Sequence, residues 1–147
     1  MSVQPMKIAQ TLAASFLMGQ VVQPRTAYET KSSMLAGVLL MMFAEDADKM
    51  AERLHEENAA MREIFTDAAN LVSDLELGDR MQATAATEGS LRVSVLQVEN
   101  DGMRAVFTEL QEIVETMAGP AAAAIEQRMW SELQASARRR SLASQPL

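Results

Sequence analysis

The dominant pattern in the sequence is an apolar stripe at helical spacing that runs from the first third of the chain to its middle. It follows Thr26-Ala27-Tyr28-Glu29, which matches a capping box, the Thr and Glu pairing found at helix starts. The stripe predicts one helix from about Tyr28 to Leu75. A break near Asn58 is the alternative, because helices beyond ~25 residues are uncommon in compact domains. Its apolar positions are Leu39, Phe43, Ala47, Met50, Leu54, Met61, Phe65, Ala68, Val72 and Leu75.

Proline and glycine residues divide the flanking sequence into shorter helices. Pro5 suits the first turn of a helix, and this first helix is predicted to end before Pro24. The polar stretch at Gly78 and Asp79 predicts the end of the long helix. A short helix is expected between this stretch and Gly89.

Two further helices are predicted in the last part of the chain. One begins at about Leu91 and ends at Gly119, and Pro120 begins the other. We expect Trp130 to anchor the final helix, beside an inward face formed by Ile125, Met129 and Leu133.

This succession of helices predicts an all-α fold. The composition agrees, since good helix formers dominate and aromatic residues make up 4% of the chain. With 48% apolar residues, the chain is large enough for one core. We expect an up-and-down bundle of four or five helices, forming a single domain over residues 1–140, with a flexible tail over 141–147.

An internal repeat relates two of the predicted helices. A shift of 42 residues aligns residues 54–75 with 96–117, and eight of the 22 aligned positions are identical. Four identities are polar and are not required for an amphipathic helix. Their recurrence indicates a duplicated segment, whose copies we expect to pack antiparallel about a local pseudo-twofold axis. The polar identities are Glu57/Glu99, Asn58/Asn100, Arg62/Arg104 and Thr66/Thr108.

The repeat places one asparagine of each copy in the apolar seam. Asn58 lies between Leu54 and Met61, and Asn100 occupies the equivalent position of the second copy. A buried amide without partners costs several kcal/mol, and a mutual Asn pair is an established way to satisfy it while fixing helix register. We therefore predict that Asn58 and Asn100 pair with each other.

The same repeat supplies candidate ligand-binding residues. Asn58, Arg62, Asn100 and Arg104 lie along the edge of the seam, because Arg62 is about 40° around the helix from Asn58. One hypothesis is a pocket for an anion or carboxylate, in which the two arginines are bidentate donors and the amides fix orientation. The alternative is that each arginine pairs with a nearby acid, such as Glu57, Glu63 or Glu99, across the helix interface.

One short motif suggests metal binding. Glu52-Arg53-Leu54-His55 has the Glu-x-x-His spacing that places both side chains on one helix face, and it resembles half of the ferritin-like carboxylate site. The repeat partners of Glu52 and His55 are Ser94 and Gln97, so the second half is absent from the chain. A homodimer would supply it by symmetry, with Glu45 or Asp48 as the additional carboxylate. The alternative is a solvated face, because these residues lie opposite the apolar seam.

Charge and composition narrow the class of function. The formal net charge of −7 disfavours nucleic acid and anionic membrane surfaces as partners. The most apolar run, Met34 to Ala44, is shorter than the ~20 residues needed to span a bilayer. The absence of Cys excludes thiol chemistry and is compatible with a cytoplasmic protein.

No phosphate-binding Gly-rich loop, nucleophile elbow or second His is present, so enzymatic activity is not expected. No cofactor is predicted apart from the divalent metal of the ferritin-like alternative. We expect a non-catalytic helical protein that acts through self-association, as a homodimer formed along the long helix, or through a protein partner. The anion-binding module and the dimeric metal protein are the alternatives.

Overall fold

The computed structural model describes residues 5–19, 26–72, 74–86 and 90–143, and within these ranges the chain is helical and contains no strand. The all-α prediction is confirmed. The described residues form five α-helices: α1 (Pro5–Leu17), α2 (Ala27–Ala68), α3 (Leu75–Ala85), α4 (Val93–Thr116) and α5 (Pro120–Arg139). Among these helices, none is both long enough and apolar enough to cross a membrane.

The long helix α2 is continuous over 42 residues. Its start is the predicted capping box: the Thr26 backbone N–H donates to the Glu29 carboxylate (3.2 Å), and the Glu29 N–H donates to the Thr26 hydroxyl (3.1 Å). The alternative of a break near Asn58 is wrong. The helix ends at Ala68, before the predicted end at Leu75. A new helix begins after Asp74, which caps it by accepting a hydrogen bond from the Leu77 N–H (3.1 Å).

Three other expectations need correction. Gly78 and Asp79 lie inside α3 and do not end the long helix. The first helix ends at Leu17, whereas the sequence predicted that it would extend to the residues before Pro24. Pro24 lies outside the described residues. Trp130 is 50% exposed and does not anchor α5, although Ile125 and Met129 are buried as predicted and Leu133 packs against the core.

The structure divides the chain into two compact units, Met1–Met50 with Ser141–Leu147, and Ala51–Arg140. Helix α2 contributes to both. That residues 1–140 behave as one domain remains a prediction. Of the predicted tail, residues 141–143 are described, and the Ala143 N–H donates to the Glu45 carboxylate (2.8 Å) within the first unit.

The first unit pairs α1 with the beginning of α2. Their close approach depends on Gly37, since a Cβ there would lie 2.7 Å from Leu17 Cγ and 3.0 Å from the Ala13 carbonyl oxygen. Ser33 reaches across and donates to the Phe16 carbonyl (3.0 Å). The contact face of α2 is therefore made of small side chains.

The second unit is a helical bundle of the end of α2 with α3, α4 and α5. Gly119 precedes α5 with φ +118°, a conformation that L side chains rarely adopt, and Pro120 begins the helix as predicted. One apolar cluster forms its core, and a buried polar group described below adjoins it. The largest core side chains include Phe65, Met81, Met103, Phe107, Leu110 and Met129.

Candidate functional site around Glu57

A group of polar side chains is buried inside the second unit. Glu57 and Asn58 on α2, Asn100 on α4 and Ser136 on α5 all have exposed fractions of 5% or less. Because burial of an unpaired polar group costs several kcal/mol, each must be satisfied by hydrogen bonds. We call these four residues, together with Arg104 and Arg140, the Glu57 cluster.

The predicted asparagine pair lies in this cluster. The Asn100 Nδ2 donates to Asn58 Oδ1 (2.8 Å), and the Asn58 Nδ2 donates to the Leu96 carbonyl (3.2 Å). The prediction that Asn58 and Asn100 pair is confirmed. The two amides thereby fix the register of α2 against α4.

The two repeat arginines form reciprocal ion pairs between α2 and α4. Arg62 Nη2 lies 3.1 Å from Glu99 Oε2, and Arg104 Nη2 lies 2.9 Å from Glu57 Oε2. Each arginine therefore pairs with the glutamate of the other aligned segment, as the alternative interpretation expected. This exchange is the arrangement that the pseudo-twofold hypothesis predicts, while the duplication itself remains a prediction.

The structure brings together only part of the predicted ligand-binding set. Asn100 and Arg104 line an open groove on the surface of the second unit. Arg62, whose side chain is 19% exposed, lies with Glu99 and is not part of that lining. Asn58 is fully buried beneath Asn100 and also does not line the groove.

Two members of the cluster were missed by sequence reasoning. Ser136 Oγ donates to Glu57 Oε1 (2.8 Å), and Arg140 holds the same carboxylate with two donors, Nε to Oε1 (3.2 Å) and Nη2 to Oε2 (2.8 Å). Neither residue has a counterpart in the repeat. Ser136 and Arg140 are four residues apart, a spacing that places two side chains on one helix face. This spacing was the only sequence signal that the two residues could act together.

The Glu57 carboxylate is ionised and saturated with donors. Besides Arg140 and Ser136, it accepts hydrogen bonds from Arg104 and from Asn100 Nδ2 (3.3 Å). Burial alone raises the pKa of Glu57, but the hydrogen bonds from Arg140, Arg104 and Ser136 outweigh it. The pKa of Glu57 is therefore lowered from 4.5 to about 2.

This shift predicts an acid-dependent loss of stability. Because the pKa of Glu57 is lower in the folded chain than its ordinary value of 4.5, the carboxylate stabilises the fold fully above pH 4.5. The contribution, on the order of 3 kcal/mol, is lost as the pH falls from 4.5 toward 2. Urea unfolding of the wild type and of Glu57→Gln at pH 7 and pH 3 measures it. The stability difference between the two proteins should shrink at pH 3, and an unchanged difference would contradict the assigned role of Glu57.

The metal-like motif occupies a different part of α2. Glu52 and His55 are both exposed, and Glu45 forms an ion pair with Lys49 (2.7 Å). In the described part of the chain, no group of three or more His, Cys, Asp or Glu side chains is placed to hold a metal ion. A ferritin-like site completed by a second copy remains a prediction.

Comparisons with known proteins identify no relative of this chain. No family model, curated protein or solved structure matches the chain.

Proposed function

We propose that the protein is a non-catalytic, self-associating helical protein, and that α1 and the beginning of α2 form its homodimer interface. The proposal rests on the apolar side chains that these two helices expose. In a monomer, they would remain in water.

Four of the exposed apolar side chains of α2 form a continuous face. Tyr28, Leu35, Leu39 and Phe43 follow one another at steps of seven, four and four residues, which places them on one side of the helix. Their exposed fractions range from 56% to 80%. The opposite side is the small-residue face that contacts α1. Residues 34–44 of α2 are apolar at every position, a pattern typical of a helix that is buried all round.

The exposed apolar face of α2 has the size of a surface patch that marks an interaction site. At roughly 100 Å² for each half-exposed side chain, Tyr28, Leu35, Leu39 and Phe43 present about 400 Å² on one side of the helix, as large as the apolar patches that are often functional. Four further large apolar side chains in the first unit are exposed at other positions on α1 and α2: Ile8, Leu12, Met34 and Met41.

A second copy of the chain is the occupant that fits this surface. A twofold axis beside the face brings two identical apolar surfaces together and completes the burial of both helix pairs as a four-helix arrangement. The interface needs no charge complementarity, so the net charge of −7 on each copy is tolerated when it lies outside the contact.

Substitution of Leu39 tests the proposal. Leu39→Glu places a charge in the middle of the face, and we expect it to convert the dimer to a monomer because an unpaired charge in an apolar interface is strongly unfavourable. Val98→Glu is the matched control, since Val98 is also an exposed apolar residue, on α4 (72%, against 56% for Leu39). Light scattering after gel filtration measures the mass, and circular dichroism checks helicity. A monomeric wild type, or a dimer that survives Leu39→Glu, would overturn the proposal.

A further inference from the structure

A charged groove lies between α4 and α5 and is lined in part by four members of the Glu57 cluster. Arg104 on α4 and Arg140 at the end of α5 line it, with Asn100 and Ser136 at its base and Asp101 at its side. The groove is open to solvent and has a volume of about 420 Å³, within the range of small-molecule sites. Its chemistry is independent of the apolar face on the first unit.

The two arginines carry more charge and more donors than Glu57 can satisfy. Glu57 supplies one negative charge against two guanidinium groups, and it already receives hydrogen bonds from both. A carboxylate offers about four acceptor positions, and Asn100 and Ser136 occupy part of them. Within the described residues, the hydrogen bonds of Arg104 and Arg140 involve Nε and Nη2 of each side chain, and none involves Nη1. Both side chains are partly exposed, at 38% and 45%.

The buried residues fix the orientation of the arginines. Arg104 Nε donates to Asn100 Oδ1 (2.9 Å), and its Nη2 also donates to Ser136 Oγ (2.9 Å). Arg140 is held by its two-donor contact with Glu57. Two guanidinium groups that are fixed in place lose little conformational freedom when they bind a further anion.

We infer that this groove binds the carboxylate or phosphate group of a small anionic molecule through Arg104 and Arg140. Planar guanidinium groups match the oxygen atoms of both groups. A bound oxyanion would accept hydrogen bonds from the guanidinium N–H groups that Glu57 does not reach. Asp101 limits the affinity, since its carboxylate, which accepts from Gln97 (2.7 Å), lies at the same groove.

The Arg62–Glu99 pair provides a matched comparison inside the same chain. It joins the same two helices through the same residue types, but its arginine is only 19% exposed. Among the described residues, no second arginine contacts Glu99. Replacement of Arg62 therefore perturbs an equivalent ion pair without altering the groove.

Calorimetric titration and thermal unfolding with inorganic phosphate and with succinate test the inference. For the wild type, we expect saturable binding of at least one probe and a rise in melting temperature beyond that given by sodium chloride at equal ionic strength. The probe that binds more tightly identifies the preferred group. Binding of neither probe would overturn the inference.

Three variants assign the binding to the groove. Arg140→Lys keeps the positive charge but loses the planar donor pair, and should weaken binding by about tenfold or more. Arg62→Lys should leave the affinity unchanged. Asp101→Asn removes a carboxylate that repels the anion and should strengthen binding. This variant tests the location of the site even if Arg140→Lys folds poorly. Equal affinities in the wild type, Arg140→Lys and Asp101→Asn would contradict the assignment.

Discussion

Replacement of Glu57 with alanine is expected to lower the free energy of unfolding by about 3–5 kcal/mol, the usual cost of removing one partner from a buried ion pair. The loss is large because Glu57 is fully buried and joins three helices: it accepts hydrogen bonds from α4 and from α5 while it belongs to α2. Without the carboxylate, Arg104 and Arg140 lose their shared counter-ion. Urea unfolding followed by circular dichroism, at equal protein concentrations, measures the effect.

Glu99→Ala is the matched control for Glu57→Ala. Glu99 occupies the equivalent position of the other aligned segment, but its side chain is 12% exposed and pairs with Arg62. We expect a loss of about 1–2 kcal/mol, because one charged hydrogen bond is removed and water reaches the site. Equal losses for the two variants would contradict the central position assigned to Glu57.

Replacement of Asn100 with alanine is expected to cost about 2–4 kcal/mol. The change removes the partner of Asn58 Oδ1 and the acceptor of Arg104 Nε, and leaves a cavity at a fully buried position. Thr108→Ala, at an exposed position of the same helix, should change stability by no more than about 0.5 kcal/mol.

A double-mutant cycle isolates the asparagine pair. The cycle compares Asn58→Ala, Asn100→Ala and the double variant by urea unfolding. Direct pairing predicts a coupling energy of about 1–2 kcal/mol, since the second substitution removes an amide that has already lost its partner. Additive losses would show that the two amides do not stabilise each other.

The sequence similarity between residues 54–75 and 96–117 explains why part of the site was predictable. A shift of 42 residues placed Asn, Arg and Glu at equivalent positions of two helices, and packing of two similar helices brings equivalent residues together. The Asn58–Asn100 pair and the Arg–Glu exchange follow from this. Ser136 and Arg140 do not, because their contact with Glu57 depends on how α5 packs, and periodicity within one helix carries no information about that.

The end of the long helix shows a different limit. Val72 continues the apolar stripe, and Gly78 follows in a polar stretch, so the pattern placed the helix end near Leu75. In the structure, Asp74 begins α3 as its N-cap, and Gly78 is accommodated inside that helix. A continuing apolar pattern therefore does not fix a helix end, and the capping residue Asp74 was the available signal for the start of α3.

The apolar stripe itself did not distinguish buried from exposed segments. Leu54 is buried, whereas Leu39 and Phe43 in the same stripe are 56% and 62% exposed. The side of α2 that contacts α1 carries Ser33 and Gly37, whose small size allows the two helices to approach closely. Periodicity identifies residues that share a face, but the neighbour that covers the face is a property of the tertiary and quaternary structure.

Hydroxyl-radical footprinting of the unmodified protein at low and high concentration tests the proposed self-association most directly. If two copies pack through the exposed face of α2, oxidation of Tyr28 and Phe43 should fall as the concentration rises. Trp130, which is 50% exposed on α5, serves as the internal reference and should be oxidised equally at both concentrations. Unchanged oxidation of Tyr28 and Phe43, or protection of Trp130 alone, would contradict the account.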